Sequence, residues 1–382
     1  MNASITHPIN LIIIVIGLFL NLTLSLNLIL NKAIKYRANF FLALLIMCFT
    51  PTFLMSFLNR FDLLADFPHI IGVPQITLFL IGPLTYFYVR TCVQSEFVFK
   101  KLDLLHFIPF VLHFFYFIFS FNKSGEEKLQ FFVNMVEQGE MLQSKLMFSL
   151  QTIHGILYIF FASRLVFIYR KHLKDTTSNI DKTFHRWVLV FLFIITFPVS
   201  ALIGFGLFEF KRVVILIILL GEFTLFLAVY IATLVKPELF HTFPHILDHI
   251  DSPLSQKEKY ENSALQEDQK QIFLNNLLSF MEEKKPYNDP ELTLTKLSDQ
   301  VKIPSHYLSQ VINEKLNVNF LDFINSYRVT EIKEKLIDPN FNHFSIMAVA
   351  YDAGFNAKST FYSVFKKQTS MTPSEFIKAN QK

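Results

Sequence analysis

The sequence predicts an all-α chain in two parts, a bundle of seven membrane-spanning helices followed by a domain of short helices paired as helix-turn-helix units. Three observations predict this. First, 52% of the 382 residues are hydrophobic and only 17% are charged, against roughly 45–50% and about 25% in soluble domains. Second, the imbalance is local, because residues 1–236 hold 31 of the 66 charged side chains and 34 of the 46 phenylalanines. Third, long apolar runs in the front half give way, toward the C-terminus, to short amphipathic stripes at 3,4 spacing.

Crossing about 30 Å of hydrocarbon takes roughly 20 apolar residues at 1.5 Å each. Seven stretches meet that requirement: Ile9 to Leu30, Asn39 to Leu58, Ile70 to Val93, Leu104 to Phe121, Leu146 to Tyr169, Trp187 to Phe208, and Val213 to Val235. No Lys or Arg precedes the first and no small-residue cleavage signal follows it, which marks a retained span rather than a secretory signal. The first, third and fifth connections carry eleven cations, Lys32, Arg90 and Arg170 among them, against six on the alternate side. Because Lys and Arg are retained in the cytoplasm, the N-terminus is expected outside and the C-terminus inside. Cys48 and Cys92 sit within apolar runs, where a thiol acts as a small hydrophobe. The outer connection from Asn122 to Lys145 carries Leu129, Phe132, Val133 and Val136 at helical spacing, which suits a short amphipathic helix on the membrane surface or over a pocket mouth.

Ionisable groups in the bilayer are costly and call for a role. Glu222 lies near mid-membrane in the seventh span, and His113 and His154 fall within the fourth and fifth. All three are candidates for sensing a signal. The alternative for Glu222 is a neutral structural acid, and for each histidine an imidazole hydrogen-bonded to a neighbouring helix. No nucleotide loop, His-Glu-x-x-His pair, Gly-x-Ser-x-Gly elbow or kinase motif occurs, so no enzymatic activity, cofactor or metal is expected.

Residues 237–285 form an acidic linker. Net charge is +7 over 1–236, −5 over 237–289 and +2 over 290–382, which sums to the +4 of the whole chain. Within the linker, Phe273, Leu274, Leu277, Leu278 and Met281 predict an amphipathic helix over about 265–284, either packed on its own domain or serving to dimerise the chain or transmit a signal. Pro286 ends it.

The third region, 286–382, reads as two helix-turn-helix units joined by a long helix. Leu294 to Val301 and Ser305 to Glu314 form the first unit. Leu308, Val311 and Ile312 face inward, and His306, Ser309, Gln310 and Asn313 are left on the open face. Phe320 to Leu336 is the joining helix. In the second unit Ser345 caps a helix ending near Ala353, Gly354 takes the left-handed turn, and Ala357 to Thr369 follows with Phe361, Val364 and Phe365 inward. Lys358, Ser359, Tyr362, Ser363, Lys366 and Lys367 face out, and side chains of this kind suit groove edges and phosphates.

Five tracts carry a resemblance. They are Pro290 to Leu294 (PELTL), Tyr307 to Gln310 (YLSQ), Ala350 to Phe355 (AYDAGF), Ser359 to Lys367 (STFYSVFKK) and Met371 to Phe376 (MTPSEF). In order and spacing they resemble the DNA-binding domain of AraC/XylS-type transcription regulators, over about residues 286–380. The resemblance implies base reading by His306, Ser309 and Gln310 on one helix and by Lys358, Ser359, Tyr362 and Ser363 on the other, with Lys366 on phosphate. Ser363 stands where many members carry Arg, which removes a bidentate guanine contact. Asn317 and Ser370 replace glycines common after the recognition helices, and Pro304 takes the usual cap position, leaving Ser305 to serve. Gly82 to Tyr88 (GPLTYFY) and His106 to Pro109 (HFIP) resemble, with low specificity, segments of membrane-bound members of the same broad family.

The function expected from these features is that of a membrane-embedded one-component transcription regulator in the bacterial inner (cytoplasmic) membrane. Its expected partners are promoter double-stranded DNA, membrane lipid and a small-molecule or envelope signal, with RNA polymerase and a second copy of the chain as further candidates. The alternative, from another class, is a transporter or lipid-handling protein whose C-terminal helices dock a protein.

Overall fold

A computed structural model describes residues 8–30, 37–94, 97–120, 122–138, 142–179, 186–195, 211–235, 265–341 and 343–380. Among them there is no β-strand, only one isolated antiparallel bridge between Thr177 and Thr293. The chain divides into two compact units, Met1–Val166 with Thr183–Ile250, and Phe167–Lys182 with Asp251–Lys382.

The first unit contains α1 (Pro8–Leu30), α2 (Arg37–Met47), α3 (Thr50–Arg60), α4 (Val73–Val93), α5 (Ile108–Ser120), α6 (Gly125–Gln138), most of α7 (Leu142–Thr176), α8 (Arg186–Ile195) and α9 (Lys211–Val235). Among the described residues five helical stretches are long and apolar enough to cross a membrane: Leu11–Leu30, Arg37–Arg60, Pro68–Val93, Lys101–Ile118 and Ser149–Thr176. The expected sixth and seventh spans appear as the shorter apolar helices Arg186–Ile195 and Leu219–Val235. Residues 196–210 lie outside the described set, so the count of seven rests on the sequence.

The second expected span is not one helix. Pro51 has no N–H to give, and the ladder breaks at Cys48 and Phe49 between α2 and α3. The Ile46 carbonyl keeps a backbone donor in the Phe49 N–H at 3.1 Å, whereas the Cys48 carbonyl has none among the described residues, and orphaned backbone groups are expensive in an apolar setting. Asn21, fully buried on α1, donates to the Ile46 carbonyl at 2.7 Å and accepts from the Thr50 hydroxyl. Thr77 on α4 donates to the Cys48 carbonyl at 2.8 Å. A Cβ at Gly17 would lie 2.2 Å from the Phe53 ring, so glycine is what lets α1 and α3 meet. The connection from Asn122 to Lys145 does contain a helix, α6, started by a reciprocal Ser124–Glu127 cap. Its Leu129 and Phe132 are partly buried against Leu58 of α3 and against Leu64 and Ile71.

The second unit contains the end of α7 and α10 (Glu267–Lys284), α11 (Leu294–Val301), α12 (Ser305–Lys315), α13 (Phe320–Ile337), α14 (Ile346–Asp352), α15 (Lys358–Thr369) and α16 (Pro373–Asn380). Two apolar cores fill it. Leu277 and Met281 of α10 join Leu297, Leu308, Ile312, Phe320 and Ile324 in the first. The linker helix is therefore packed on its own domain, which is the first of the two readings its stripe allowed. Val329, Ile332, Val349, Phe361 and Phe365 build the second core. Helix α13 serves both, the first through its N-terminal half and the second through its C-terminal half.

Arg328 sits on α13 between the two cores and is fully buried. Its guanidinium donates to the Tyr287 carbonyl at 2.7 Å, the Asp289 carbonyl at 2.8 Å, and the carbonyl and hydroxyl of Ser178 at 3.1 and 3.2 Å. It also lies over the Phe355 ring, 5.6 Å from the centroid. Burial pushes this guanidinium down to about 10, with the Asp289 charge acting the other way. One turn on, Glu331 accepts from the Tyr287 hydroxyl at 2.9 Å and pairs with Lys285 at 3.2 Å and Lys335 at 2.7 Å.

Burial by itself raises the Glu331 carboxyl, but hydrogen bonds from Lys335, Tyr287 and Lys285 outweigh it and hold the group below the usual carboxylate range. A folded pKa below the unfolded value of about 4.3 contributes stability that is present above that value and lost as pH falls through the folded one. Glu331→Gln is expected to cost about 1–3 kcal/mol at neutral pH and to lose less stability than the wild type between about pH 5 and 3. Urea unfolding of residues 265–382 across that range checks it, and equal acid limbs would contradict it.

Candidate nucleic-acid interface

Local devices bound the helices and set the turn of the first helix-turn-helix pair. Thr293 caps α11 by accepting from the Lys296 N–H at 3.2 Å, and Lys302 takes a left-handed φ of 59° as its C-cap. The Ser298 hydroxyl then donates to the Ile303 carbonyl at 2.6 Å and closes the turn. Pro304 is the N-cap of α12 through its fixed extended backbone, without a side-chain bond. Ser305 is the first helical residue and does not serve as the cap, contrary to the sequence reading. In the second unit Ser345 caps α14 by accepting from the Ala348 N–H at 3.1 Å, and Gly354 turns at φ 90°. A Cβ at Gly354 would sit 2.4 Å from the Tyr287 carbonyl oxygen, so this glycine is required by packing as well as by φ. Asn317 and Ser370 hold left-handed φ values of 56° and 60°, where the resemblance places glycine.

On α12, His306 and Asn313 are exposed and Gln310 is half-buried. Ser309 departs from the open-face reading: it is 6% exposed, because each residue turns 100° and Ser309 falls beside Leu308 and Ile312 at the edge of the packed stripe. Its carbonyl and hydroxyl accept from the Asn313 amide at 2.9 and 3.3 Å, and Gln310 donates to Glu314 at 2.9 Å. Two of the candidate base readers thus already have partners along their own helix, which a base edge would have to replace.

Helix α15 presents more. Lys358, Ser359, Ser363, Lys366 and Lys367 are exposed, and Tyr362 is half-buried with the Lys358 ammonium 5.7 Å from its ring centroid. Lys367 pairs with Asp322 of α13 at 3.1 Å, leaving Lys358 and Lys366 as the cations that point outward without an ion pair among the described residues.

The sensing candidates lie in the first unit. His113 and His154 meet the Phe79 ring, each at 5.2 Å between centroids, and His154 also meets Tyr158. The expected interhelical hydrogen bonds are not made among the described residues by either nitrogen of His154 or by His113 Nε2. Ring packing against Phe79 holds them instead. Glu222 on α9 is buried, with one carboxyl oxygen unpartnered among the described residues.

Sequence reasoning missed Arg328, Ser178 and Asn179. Arg328 carried a signal, since Ile324, Arg328, Ile332 and Leu336 recur every four residues and a cation in an apolar stripe must find acceptors. Ser178 and Asn179 carried none, being 150 and 111 residues from their partners in sequence.

The helix-turn-helix domain family matches residues 297–379. The C-terminal domain is an AraC-type helix-turn-helix domain. Relatives of this domain include the melibiose operon regulatory protein of Escherichia coli K12, 27% identical over 111 residues, which are 29% of this chain and 35% of that protein. An uncharacterized response regulatory protein of Staphylococcus epidermidis is 24% identical over 39% of this chain and 60% of its own length. An uncharacterized HTH-type transcriptional regulator of Staphylococcus aureus is 30% identical over 22% of this chain and 11% of its own. The chain spans about a third of the length of the melibiose regulator it matches. A solved chain of unknown function from Listeria innocua is 28% identical, with 28% of this chain and 97% of that one covered and a TM-score of 0.25.

Within the AraC-type domain, Lys366→Ala is expected to weaken DNA binding about equally across sequences and to lower the salt slope by about 1. Ser363→Arg is expected to add about 1–3 kcal/mol of preference for guanine at one position. Anisotropy titrations on selected genomic fragments at several salt concentrations measure both, and a sequence-selective Lys366 effect or an unchanged Ser363→Arg preference would count against these roles.

Proposed function

We propose that the chain is a membrane-embedded one-component transcription regulator of the bacterial inner membrane. Its AraC-type domain reads promoter DNA in the cytoplasm, under control of a small-molecule or envelope signal perceived by the apolar unit. The observation that carries this reading is the junction at residues 177–179. Helix α7 runs unbroken from Leu142, in the apolar unit, to Thr176 in the second. The three residues that follow are built into the DNA-binding domain. Thr177 bridges to Thr293, the Ser178 N–H donates to the Leu292 carbonyl at 3.1 Å, and Asn179 donates to the Pro290 carbonyl. Ser178 further accepts from the Arg328 guanidinium, the group that joins the two cores.

A helix that is apolar at one end and tied at the other to the joint between two recognition units can bias their arrangement. Any signal must bind one arrangement more tightly than the other, since equal affinity shifts nothing. His306, Ser309, Gln310, Asn313, Lys358, Ser359, Tyr362, Ser363, Lys366 and Lys367 form the DNA face in this reading, with Ser309 acting through Asn313. Glu222, His113 and His154 are its sensing candidates. RNA polymerase and a second copy of the chain are candidate partners. No observation favours the transporter alternative, and the domain's relatives carry the names of regulators.

Two measurements test the proposal. Purified residues 265–382 are expected to bind promoter DNA with an affinity that falls steeply as salt rises; a folded domain that fails to bind at low salt sinks the regulator reading. In the full chain, Ser178→Gly with Asn179→Ala is expected to change reporter transcription while the affinity of residues 265–382, which lack both positions, is unaffected by construction. Glu222→Gln is expected to act the same way. Unaltered reporter output from all of these would remove the coupling.

A further inference from the structure

We propose that the apolar unit holds a binding site for an alkyl-chain amphiphile with a single anionic head group. A cavity of about 890 Å³ opens among α2, α4 and the segment 97–107, within the roughly 300–1,000 Å³ typical of small-molecule sites. Phe41, Leu44, Leu80, Leu84 and Phe107 supply apolar wall, and Phe41 is fixed by stacking on Phe87 at 5.4 Å and by an edge contact with Phe97 at 5.9 Å.

Polar groups along the wall are few. The Thr77 hydroxyl already donates to the Cys48 carbonyl, so it keeps little to offer a ligand. Arg37 is the charged residue of the lining, at the first turn of α2, and one of its terminal N–H groups is anchored on the Phe97 carbonyl. A guanidinium has five N–H donors, and no carboxylate pairs with this one among the described residues. The nearby carboxylate of Asp103 is taken instead by Arg90 at 2.8 Å, whose own guanidinium lies over Phe97. An apolar hollow lined at one end by an anchored guanidinium, which has no carboxylate partner among the described residues, is complementary to an alkyl tail ending in one anion. Arg37 is exposed, so the discrimination rests on charge: a cationic head group would be repelled, and a compact polar anion would leave the hollow unfilled.

The site names a chemical class for the signal of the regulator proposed above, and it rests on that reading only for its effect on transcription. The test uses the full chain in phosphatidylcholine nanodiscs, labelled with myristate carrying a photoactivatable diazirine. Crosslinks are expected within residues 37–48, 73–93 and 97–107. Unlabelled myristate is expected to compete at least tenfold better than tetradecanol, and Arg37→Gln to abolish that preference. Leu80→Trp, which fills the hollow, is expected to cut labelling about tenfold, whereas Leu189→Trp on the exposed side of α8 retains it and controls for folding. Competition by phosphatidylglycerol as strong as that by myristate assigns the same anion chemistry to a bilayer lipid; weaker competition assigns it to a free carboxylate. Crosslinks elsewhere, equal competition by tetradecanol, or an Arg37→Gln chain that still prefers the acid would overturn the site. DNA binding by the same nanodiscs is read separately: labelling that persists with DNA affinity unmoved by myristate removes the signalling role and leaves the site.

Discussion

A buried cation that forms no ion pair among the described residues organises the second unit. Removing a guanidinium from water is costly, and an isolated one in an apolar interior would not persist. Arg328 is matched by the carbonyls of Tyr287, Asp289 and Ser178, the Ser178 hydroxyl and the face of Phe355. These acceptors come from three separate chain segments, which the guanidinium ties together. The constraint reaches further through Gly354, which has no side chain because the Tyr287 carbonyl and the Arg328 Nε occupy the space where a Cβ would sit. The turn of the second helix-turn-helix unit, the entry to the first and the end of α7 are thus held by one side chain.

The two recognition helices inherit their spacing from this joint. Helix α13 packs Phe320, Phe323 and Ile324 into one core and Val329, Ile332 and Leu336 into the other, with Arg328 between. One continuous helix thus contributes to both cores. The outward faces differ in readiness. Helix α15 offers exposed Lys358 and Lys366, whereas α12 holds Gln310 and Asn313 in bonds to Glu314 and Ser309. In the proposed DNA complex, contact through α12 would exchange these bonds for new ones.

The apolar unit solves a different problem. Its second hydrophobic run contains Pro51, and the resulting break exposes carbonyls where no water is available to satisfy them. Thr77 supplies the donor the Cys48 carbonyl lacks, and Asn21 adds a second to the Ile46 carbonyl beside the Phe49 N–H. The same break shapes the wall of the cavity beneath Arg37, since Met47 and Cys48 line it. The residues beside the break thus contribute both to a polar repair inside the apolar unit and to the lining of the hollow.

The sequence by itself determined the helical class, the division into an apolar front and a charged tail, and the caps and inward faces of the helix-turn-helix units. Each is written in local pattern: run length, a 3,4 stripe, a Ser or Thr before a helix, a glycine after one. Leu308, Ile312, Phe361 and Phe365 face inward as their spacing requires, and Ser345 and Gly354 end their helices as their chemistry requires. Tertiary structure alone decided what long-range contacts decide. Ser309 is buried although its helical face borders the open side, α6 packs on Leu58, Leu64 and Ile71, and the imidazoles of His113 and His154 pack on Phe79, with His113 Nε2 and both His154 nitrogens unpartnered among the described residues. Ser178 and Asn179 could not be read at all, because nothing in a short polar turn shows that a guanidinium 150 residues away will need its oxygens. Local pattern fixes which face a helix buries, but only the assembled chain decides which distant group completes a buried charge.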